Sequence, residues 1–515
     1  MPLMDGLFSS TMSLVRRAPI HALPTELVRE IVRACCDDGI TLPFSVSKPA
    51  AIAIGQFCSR WRAVAHSERG LWQEFQVALP DDLTGGQYEA LMNFIANGAV
   101  SNETRLSLRQ GAHRERDFNP MLPVVISHSH CLQSLSLSLP GRSLEQLLSL
   151  TPLPLRRLQS LSIAIRVTDG KDVLFLRTMA EGVEPSPADF VSTTFTDTPL
   201  LTHLNIGYDW LNPITYDAFP LSALNLPWAQ LTHLDGPNVW IEVLLFFSIF
   251  ERCPNLVSCV ITLDAEGAED AEIDAERMTR GALKKFHVTF LELYSWVWTH
   301  LTLPALTDLK IASFRDLDPW EDDIFDEFMV RSGCALTHLT ISFGFLNAID
   351  GILHIFDASP DLQELTLSWT RLPDEVDDEE PQDVAPLMAY LHYHPTALHL
   401  PSLRKIQIDA TPETVNMLVS RCCCADSILL QVVLFAEQPS SCETLFATQI
   451  AEMRSAGATV TWETIVFPLK RIYDPDPGFQ EDTTPEGSVG TPSEEGSPLQ
   501  PVSVSVNRKP TVGRT

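Results

Sequence analysis

Leu132-Gln133-Ser134-Leu135-Ser136-Leu137, Leu158-Gln159-Ser160-Leu161-Ser162-Ile163 and Leu201-Thr202-His203-Leu204-Asn205-Ile206 are copies of one phrase, L-x-x-L-x-L. A degenerate copy follows at Leu231-Thr232-His233-Leu234, with weaker ones opening at Leu256 and Leu283. Clear copies resume at Leu306, Leu336, Leu362 and Leu403. Seven of the nine gaps between successive copies fall between 23 and 30 residues, a period that marks a repeat architecture. The two long gaps contain insertions, one near 167–198 and one near 373–383, the second holding Asp374-Glu375-Val376-Asp377-Asp378-Glu379-Glu380.

Apolar residues on alternate positions make each phrase a short strand with one buried face. Most of the intervening stretches have helical character: Ser143 to Leu148, Asp322 to Arg331, Ile349 to Ala358, Pro412 to Arg421. The most apolar run, Trp240 to Phe250, also reads as a buried helix and is too short to span a bilayer. Pro often precedes the phrase, as in Pro254, Pro304, Pro360 and Pro401, where it suits a turn feeding a strand. The expected fold class is therefore α/β, a solenoid of parallel strands alternating with helices over residues 104–466. A doubly wound sheet alternates strand and helix too; near-copies of one phrase favour the solenoid. The consensus Asn of leucine-rich repeats is mostly absent, so the repeats are irregular.

Alternation also predicts what lies on the other face. The residues flanking the second apolar position form a ladder on the concave side: Ser134 and Ser136, Ser160 and Ser162, His203 and Asn205, His233 and Asp235, Ser258 and Val260. It continues through Lys285 and His287, Asp308 and Lys310, His338 and Thr340, Glu364 and Thr366, Lys405 and Gln407. Neutral rungs give way to mixed charge, which suits a protein partner. Of the three L-T-H-L histidines, only His203 and His233 could approach each other, and two ligands without a third make a poor zinc site.

Upstream, Ile20 to Trp72 has a different character. Leu23-Pro24-Thr25-Glu26-Leu27 opens an amphipathic helix with Pro24 in its first turn, and Leu23, Leu27 and Ile31 fall four apart on one face beside Val28 and Val32. A second helical pattern from about Ala50 sets Ile54, Cys58, Trp61 and Ala65 on one stripe, and the module closes on Leu71-Trp72. About fifty residues are few for a self-sufficient core, so such a unit has surface to share.

These residues resemble the F-box family, in particular the F-box proteins abundant in mushroom-forming fungi. There an LP-x-E-[LI]…I opening is followed by V/C-x-x-W-R…LW, matched here by Leu23-Pro24, Glu26-Leu27, Ile31, Cys58-Ser59-Arg60-Trp61-Arg62 and Leu71-Trp72. The repeat rhythm is similar to that of F-box proteins carrying leucine-rich repeats. The resemblance implies a three-helix F-box module at 20–75 that docks onto a Skp-family adaptor, and through it a cullin scaffold. Leu23, Pro24, Leu27, Ile31, Trp61 and Trp72 would supply the contact. The repeats would hold a protein target for ubiquitination, with catalysis done by the recruited enzyme.

Composition is compatible with that role. Formal net charge is −30 over 515 residues, which argues against nucleic acid or an anionic membrane as partner. Eleven cysteines, several adjacent and none in C-x-x-C spacing, suit a reduced cytoplasmic or nuclear setting. The triplet Cys422-Cys423-Cys424 lies beside Arg421, which leaves open a lowered thiol pKa, although a buried structural role is the expectation. No nucleophile–base, phosphate-loop or metalloprotease motif is present in the sequence, so neither catalysis nor a cofactor or metal is expected. Residues 1–19 read as a flexible leader, 76–103 as a linker with a helix at Gln87 to Asn97, and 474–515 as a disordered tail rich in Pro, Ser, Thr and Glu. The alternative is a leucine-rich scaffold without a ubiquitin role, its N-terminal helices serving as cap.

Overall fold

The computed structural model describes residues 23–34, 40–42, 58–67, 74–79, 104–110, 122–166, 192–208, 221, 224–264, 277–290, 295–313, 322–342, 349–369, 384–392, 394, 399–424, 428–436 and 439–464. The chain divides into two units, Met1–Tyr473 and Asp474–Thr515, and the described residues all belong to the first. The expected leader, the helix at 87–97, the acidic run 374–380, the tail and Trp72 lie outside them. So does most of the first insertion, residues 167–191.

The fold is α/β, built on one parallel sheet of 15 strands in sequence order. Its first half is β1 (Ile40–Leu42), β2 (Glu74–Leu79), β3 (Thr104–Gln110), β4 (Leu132–Pro140), β5 (Ser160–Arg166), β6 (His203–Tyr208), β7 (His233–Glu242) and β8 (Ser258–Asp264). A two-residue β9 (Met278–Thr279) pairs outside the sheet with β11 (Leu301–Thr302). The main sheet goes on through β10 (Lys285–Phe290), β12 (Asp308–Ser313), β13 (His338–Ser342), β14 (Glu364–Ser368), β15 (Lys405–Asp409), β16 (Gln431–Ala436) and β17 (Thr459–Thr464). Each strand pairs only with its predecessor and successor, the geometry of a solenoid-like α/β array.

Register is set by the phrase itself. Leu135, Leu161, Leu204, Leu234, Cys259, Phe286, Leu309, Leu339, Leu365 and Ile406 stand opposite one another strand by strand. All are buried, as are the leucines that open each phrase. A one-residue slip would turn this row to solvent, which is why the pattern holds one register. Just ahead of the strands a second ladder runs from repeat to repeat. The carbonyls of Gln159, Thr202, Val257, Lys284, Thr307, Thr337, Gln363 and Arg404 each accept two successive backbone N–H groups from the next repeat.

Helices cover one face. Val243–Arg252, Asp322–Ser332, Ile349–Asp357 and Pro412–Cys422 supply Phe246, Phe250, Phe325, Phe328, Ile355, Phe356, Val415 and Leu418 to the continuous core. Trp298 sits against Phe286, Phe290, Phe325 and Phe328, with ring centroids 5.1–6.1 Å apart. Arginines tie successive layers. The Arg331 guanidinium donates to the carbonyls of Trp298 and Leu301, Arg421 to those of Leu391, His399 and Leu400, and Arg280 to that of Phe250. Each satisfies orphan acceptors where a neighbouring helix ends.

Three expectations need correction. The sheet does not begin at residue 104: β1 and β2 extend it into the N-terminal region, so the segment read as a linker from 76 starts inside a strand. Glu74-Phe75-Gln76-Val77 alternates like the other strands, with Phe75 and Val77 buried. Second, the run Trp240 to Phe250 is not all helix, because Trp240, Ile241 and Glu242 finish β7 and the helix starts at Val243. The cause is a bulge. Gly236 faces Ile261 but the next ladder partner is Trp240, so Pro237 to Val239 are extruded and the strand resumes late. Gly236 takes the inward position where other phrases carry Leu or Ile, and a Cβ there would meet Ile206 Cγ1 at 2.9 Å. That contact explains the degenerate fourth phrase. Third, Pro24 precedes the first helix rather than lying within it: α1 spans Thr25–Ala34, and the Pro24 carbonyl accepts its first hydrogen bond, from the Val28 amide at 3.1 Å.

Candidate functional site

The first candidate surface is α1. Val28 and Val32 are fully buried in the core cluster, which fixes the helix to the body of the protein. With that face committed, Leu27 and Ile31 point away from it and remain 50% and 37% exposed, next to exposed Pro24. Leu23 is partly buried against the core instead of joining them. Trp61, on α2 (Ser59–Ser67), is buried at 3% together with Val64 and Ala65, so it supports α1 from behind. Arg60 reaches the start of α1, donating from Nη2 to Thr25 Oγ1 at 2.9 Å. Of the six residues expected to form one docking surface, the structure places Pro24, Leu27 and Ile31 outward and Leu23 and Trp61 inward; Trp72 is outside the described residues. The described part of 20–75 holds two helices, strand β1 and the first two residues of β2; Leu71-Trp72, on which the expected module closes, lies outside it.

The second surface is the sheet face opposite the helices. Backbone register aligns Ser134, Ser160, His203, His233, Ser258, Lys285, Asp308, His338, Glu364 and Lys405 in one row. A second row carries Ser136, Ser162, Asn205, Asp235, Val260, His287, Lys310, Thr340, Thr366 and Gln407. All the ladder residues read from sequence lie together on this face.

Its charges pair both across and along the rows. His287 Nε2 is 2.9 Å from Asp308 Oδ1, and Glu364 lies between His338 (3.4 Å) and Lys405 (3.2 Å). Burial pushes the Asp308 carboxyl up, but the His287 hydrogen bond and the charges of His287, Lys285 and His338 outweigh it, so the group stays below the ordinary carboxylate range. Burial, then repulsion from Lys285, lowers Lys310.

A feature that periodicity could not reveal links the L-T-H-L copies. Thr202, Thr232 and Thr337 donate from Oγ1 to the carbonyl one repeat back, Gln159, Thr202 and Thr307 respectively, at 3.1–3.3 Å. Each hydroxyl also contacts Nδ1 of the following histidine at 2.8–2.9 Å. The Thr-His pair thus fixes each ring's orientation. On adjacent strands His203 and His233 stack, with centroids 4.1 Å apart and planes 10° apart.

Among the described residues no group of three or more His, Cys, Asp or Glu could hold a metal ion. Cys422 is buried and pushed up to about 11 by burial, then by Cys423, against the opposing pull of Arg421. No helix among the described residues is long and apolar enough to cross a membrane. Compared with known proteins, the chain matches no family model and no curated protein sequence.

Proposed function

We propose that the chain is a non-catalytic substrate-receptor subunit of a cullin–RING ubiquitin ligase, of the SCF type. Its F-box-like N-terminal region would dock onto a Skp-family adaptor, while the irregular leucine-rich-repeat face would hold a protein target. The observation that carries this reading is the split character of α1. The helix that follows Leu23-Pro24 anchors one apolar face through Val28 and Val32 and leaves Leu27 and Ile31 partly exposed. Two large aliphatic side chains held in the open on a fixed helix are available to a partner's apolar groove. Function on this reading is positional, raising the effective concentration of a bound target near the conjugating enzyme. Co-expression with a Skp-family adaptor should yield a stable 1:1 complex on size-exclusion chromatography. Recovery of the chain without adaptor would overturn the assignment.

A second reading, a repeat scaffold whose N-terminal helices merely cap the array, draws support from β1 and β2. They join the helical region to the same sheet as the repeats. It differs in expecting no adaptor under the same co-expression.

A further inference from the structure

We propose that Lys285 and Lys310 form a seat for the carboxylate of an Asp or Glu side chain of the target protein. The inference rests on the sheet face being the target surface and does not depend on adaptor docking. It follows from how four polar side chains share two strands. Register sets Lys285 opposite Asp308 and His287 opposite Lys310, so the four stand at the corners of a square on β10 and β12. One diagonal is closed, because His287 Nε2 lies 2.9 Å from Asp308 Oδ1. The other joins the two lysines. Strands about 4.8 Å apart and a two-residue rise of about 6.6 Å put their Cα atoms about 8 Å from each other, close enough for both ammoniums to reach one ligand group. Both lysines are half-buried, and neither ammonium makes a hydrogen bond or an ion pair among the described residues.

Two ammoniums beside one carboxylate leave the square positive whichever form the ring takes. Lys310 stands in the poorer position. Burial opposes its charge and repulsion from Lys285 adds to that, so the ammonium is partly desolvated with no counter-ion on it. Lys405 marks the contrast: farther along the sheet, its Nζ lies 3.2 Å from Glu364, and that pair is closed. A carboxylate arriving over the square would accept an N–H from each lysine and relieve their mutual repulsion. Val260 on β8 and Thr340 on β13 extend the His287–Lys310 row on either side, an apolar contact and a hydroxyl for the incoming side chain. The attraction is local. A chain of net charge −30 repels a polyanion at range, whereas a single carboxylate meets mainly the two ammoniums within a screening length of about 8 Å.

The test uses the full chain and the peptide Ac-Gly-Glu-Gly-NH2, observed by saturation-transfer NMR at neutral pH and low salt. The expected result is saturation of the glutamate methylenes, with affinity at least about tenfold lower for Lys285→Met/Lys310→Met, which keeps the aliphatic stems but removes both charges. The glutamine counterpart should bind at least about tenfold more weakly than glutamate. Raising NaCl from about 0.05 M to about 0.5 M should weaken glutamate binding severalfold. Undiminished glutamate binding by the folded double-Met variant, or equal binding of the glutamine peptide, would overturn the proposal. So would a wild type that gives no saturation, including the case where binding emerges only in Asp377→Asn/Asp378→Asn/Glu379→Gln/Glu380→Gln, since the chain's own acidic run would then be the occupant. The double-Met variant should retain adaptor binding, and a Leu27→Ala variant should retain glutamate binding, so failure of either reading leaves the other testable.

Discussion

Truncating Leu27 and Ile31 together should weaken adaptor binding while costing the fold less than truncating Val28 and Val32. Burying a whole Leu or Ile side chain is worth about 1.5–3 kcal/mol. Leu27 and Ile31 retain 50% and 37% of their exposure for a partner to remove. The pair therefore supplies about 1.3–2.6 kcal/mol, roughly a ten- to eightyfold change in Kd. Because only part of each side chain is covered in the free chain, Leu27→Ala/Ile31→Ala should cost less folding stability than Val28→Ala/Val32→Ala. The control lies one residue along the helix. Val28 and Val32 are completely buried, so each truncation to Ala should cost about 2 kcal/mol of stability through lost transfer and an unfilled cavity. Isothermal titration of the adaptor, paired with thermal unfolding of the same samples, separates the two effects. The reasoning is refuted if the double variant binds like wild type. It is equally refuted if that variant melts as early as Val28→Ala/Val32→Ala, because α1 would then be interior on both faces, as the cap reading requires.

Other consequences concern the array itself. Gly236→Ala should destabilise by about 1–3 kcal/mol through overpacking against Ile206, and combining it with Ile206→Val should recover part of that in a double-mutant cycle read by urea unfolding. Arg421→Ala leaves the Leu391, His399 and Leu400 carbonyls without their donor and should cost about 2–4 kcal/mol; Arg421→Lys should not restore it, lacking the planar fork. Asp308 has a depressed folded pKa, so its stabilisation is complete above the unfolded carboxyl value near about 3.9 and is lost as pH falls through the lower folded value. Wild type should accordingly lose more thermal stability below about pH 4 than Asp308→Asn does. Thiol labelling at neutral pH should modify exposed Cys423 quickly and spare Cys253 and Cys422, which burial pushes up to about 12 and about 11, until the chain unfolds.

The array was legible because one physical rule, alternation of side chains across a strand, fixes both its faces at once. Reading Leu204 and Ile206 as inward dictates His203 and Asn205 as outward, and pairing by register brings His203 against His233. What escaped had no periodic signature. The threonine bonds of the L-T-H-L copies join residues in different repeats, and Arg331 and Arg421 find their carbonyls a whole repeat away in the chain. Gly236 weakens its own phrase because Ile206 from the preceding strand fills the space, so the flaw is visible in sequence while its cause is not. Strand β2 was hidden for a different reason: it lacks the opening leucine, although Phe75 and Val77 alternate as the rule demands. On α1, composition identified the apolar residues but not their division. Only the packing decides that Val28 and Val32 face the core and Leu27 and Ile31 do not.

That division bears on how a receptor could work. If the N-terminal region hung from a flexible linker, a bound target would sample a wide volume around the adaptor, and its effective concentration would fall with linker length. Instead β1 pairs directly with β2, and β2 with β3, so the helical region and the repeats share one hydrogen-bonded sheet. Adjacent strands lie about 4.8 Å apart. Counting along the strand order, His203 on β6 lies five steps from β1, about 24 Å, and Lys405 on β15 lies twelve steps away, about 58 Å. On the proposed receptor reading, where a target sits along the row would therefore set its distance from α1. A short row of polar serines next to β3 and a charged row from Lys285 onward thus differ in reach as well as in chemistry. On that reading, the rung that holds a target would also decide which part of it is presented for modification.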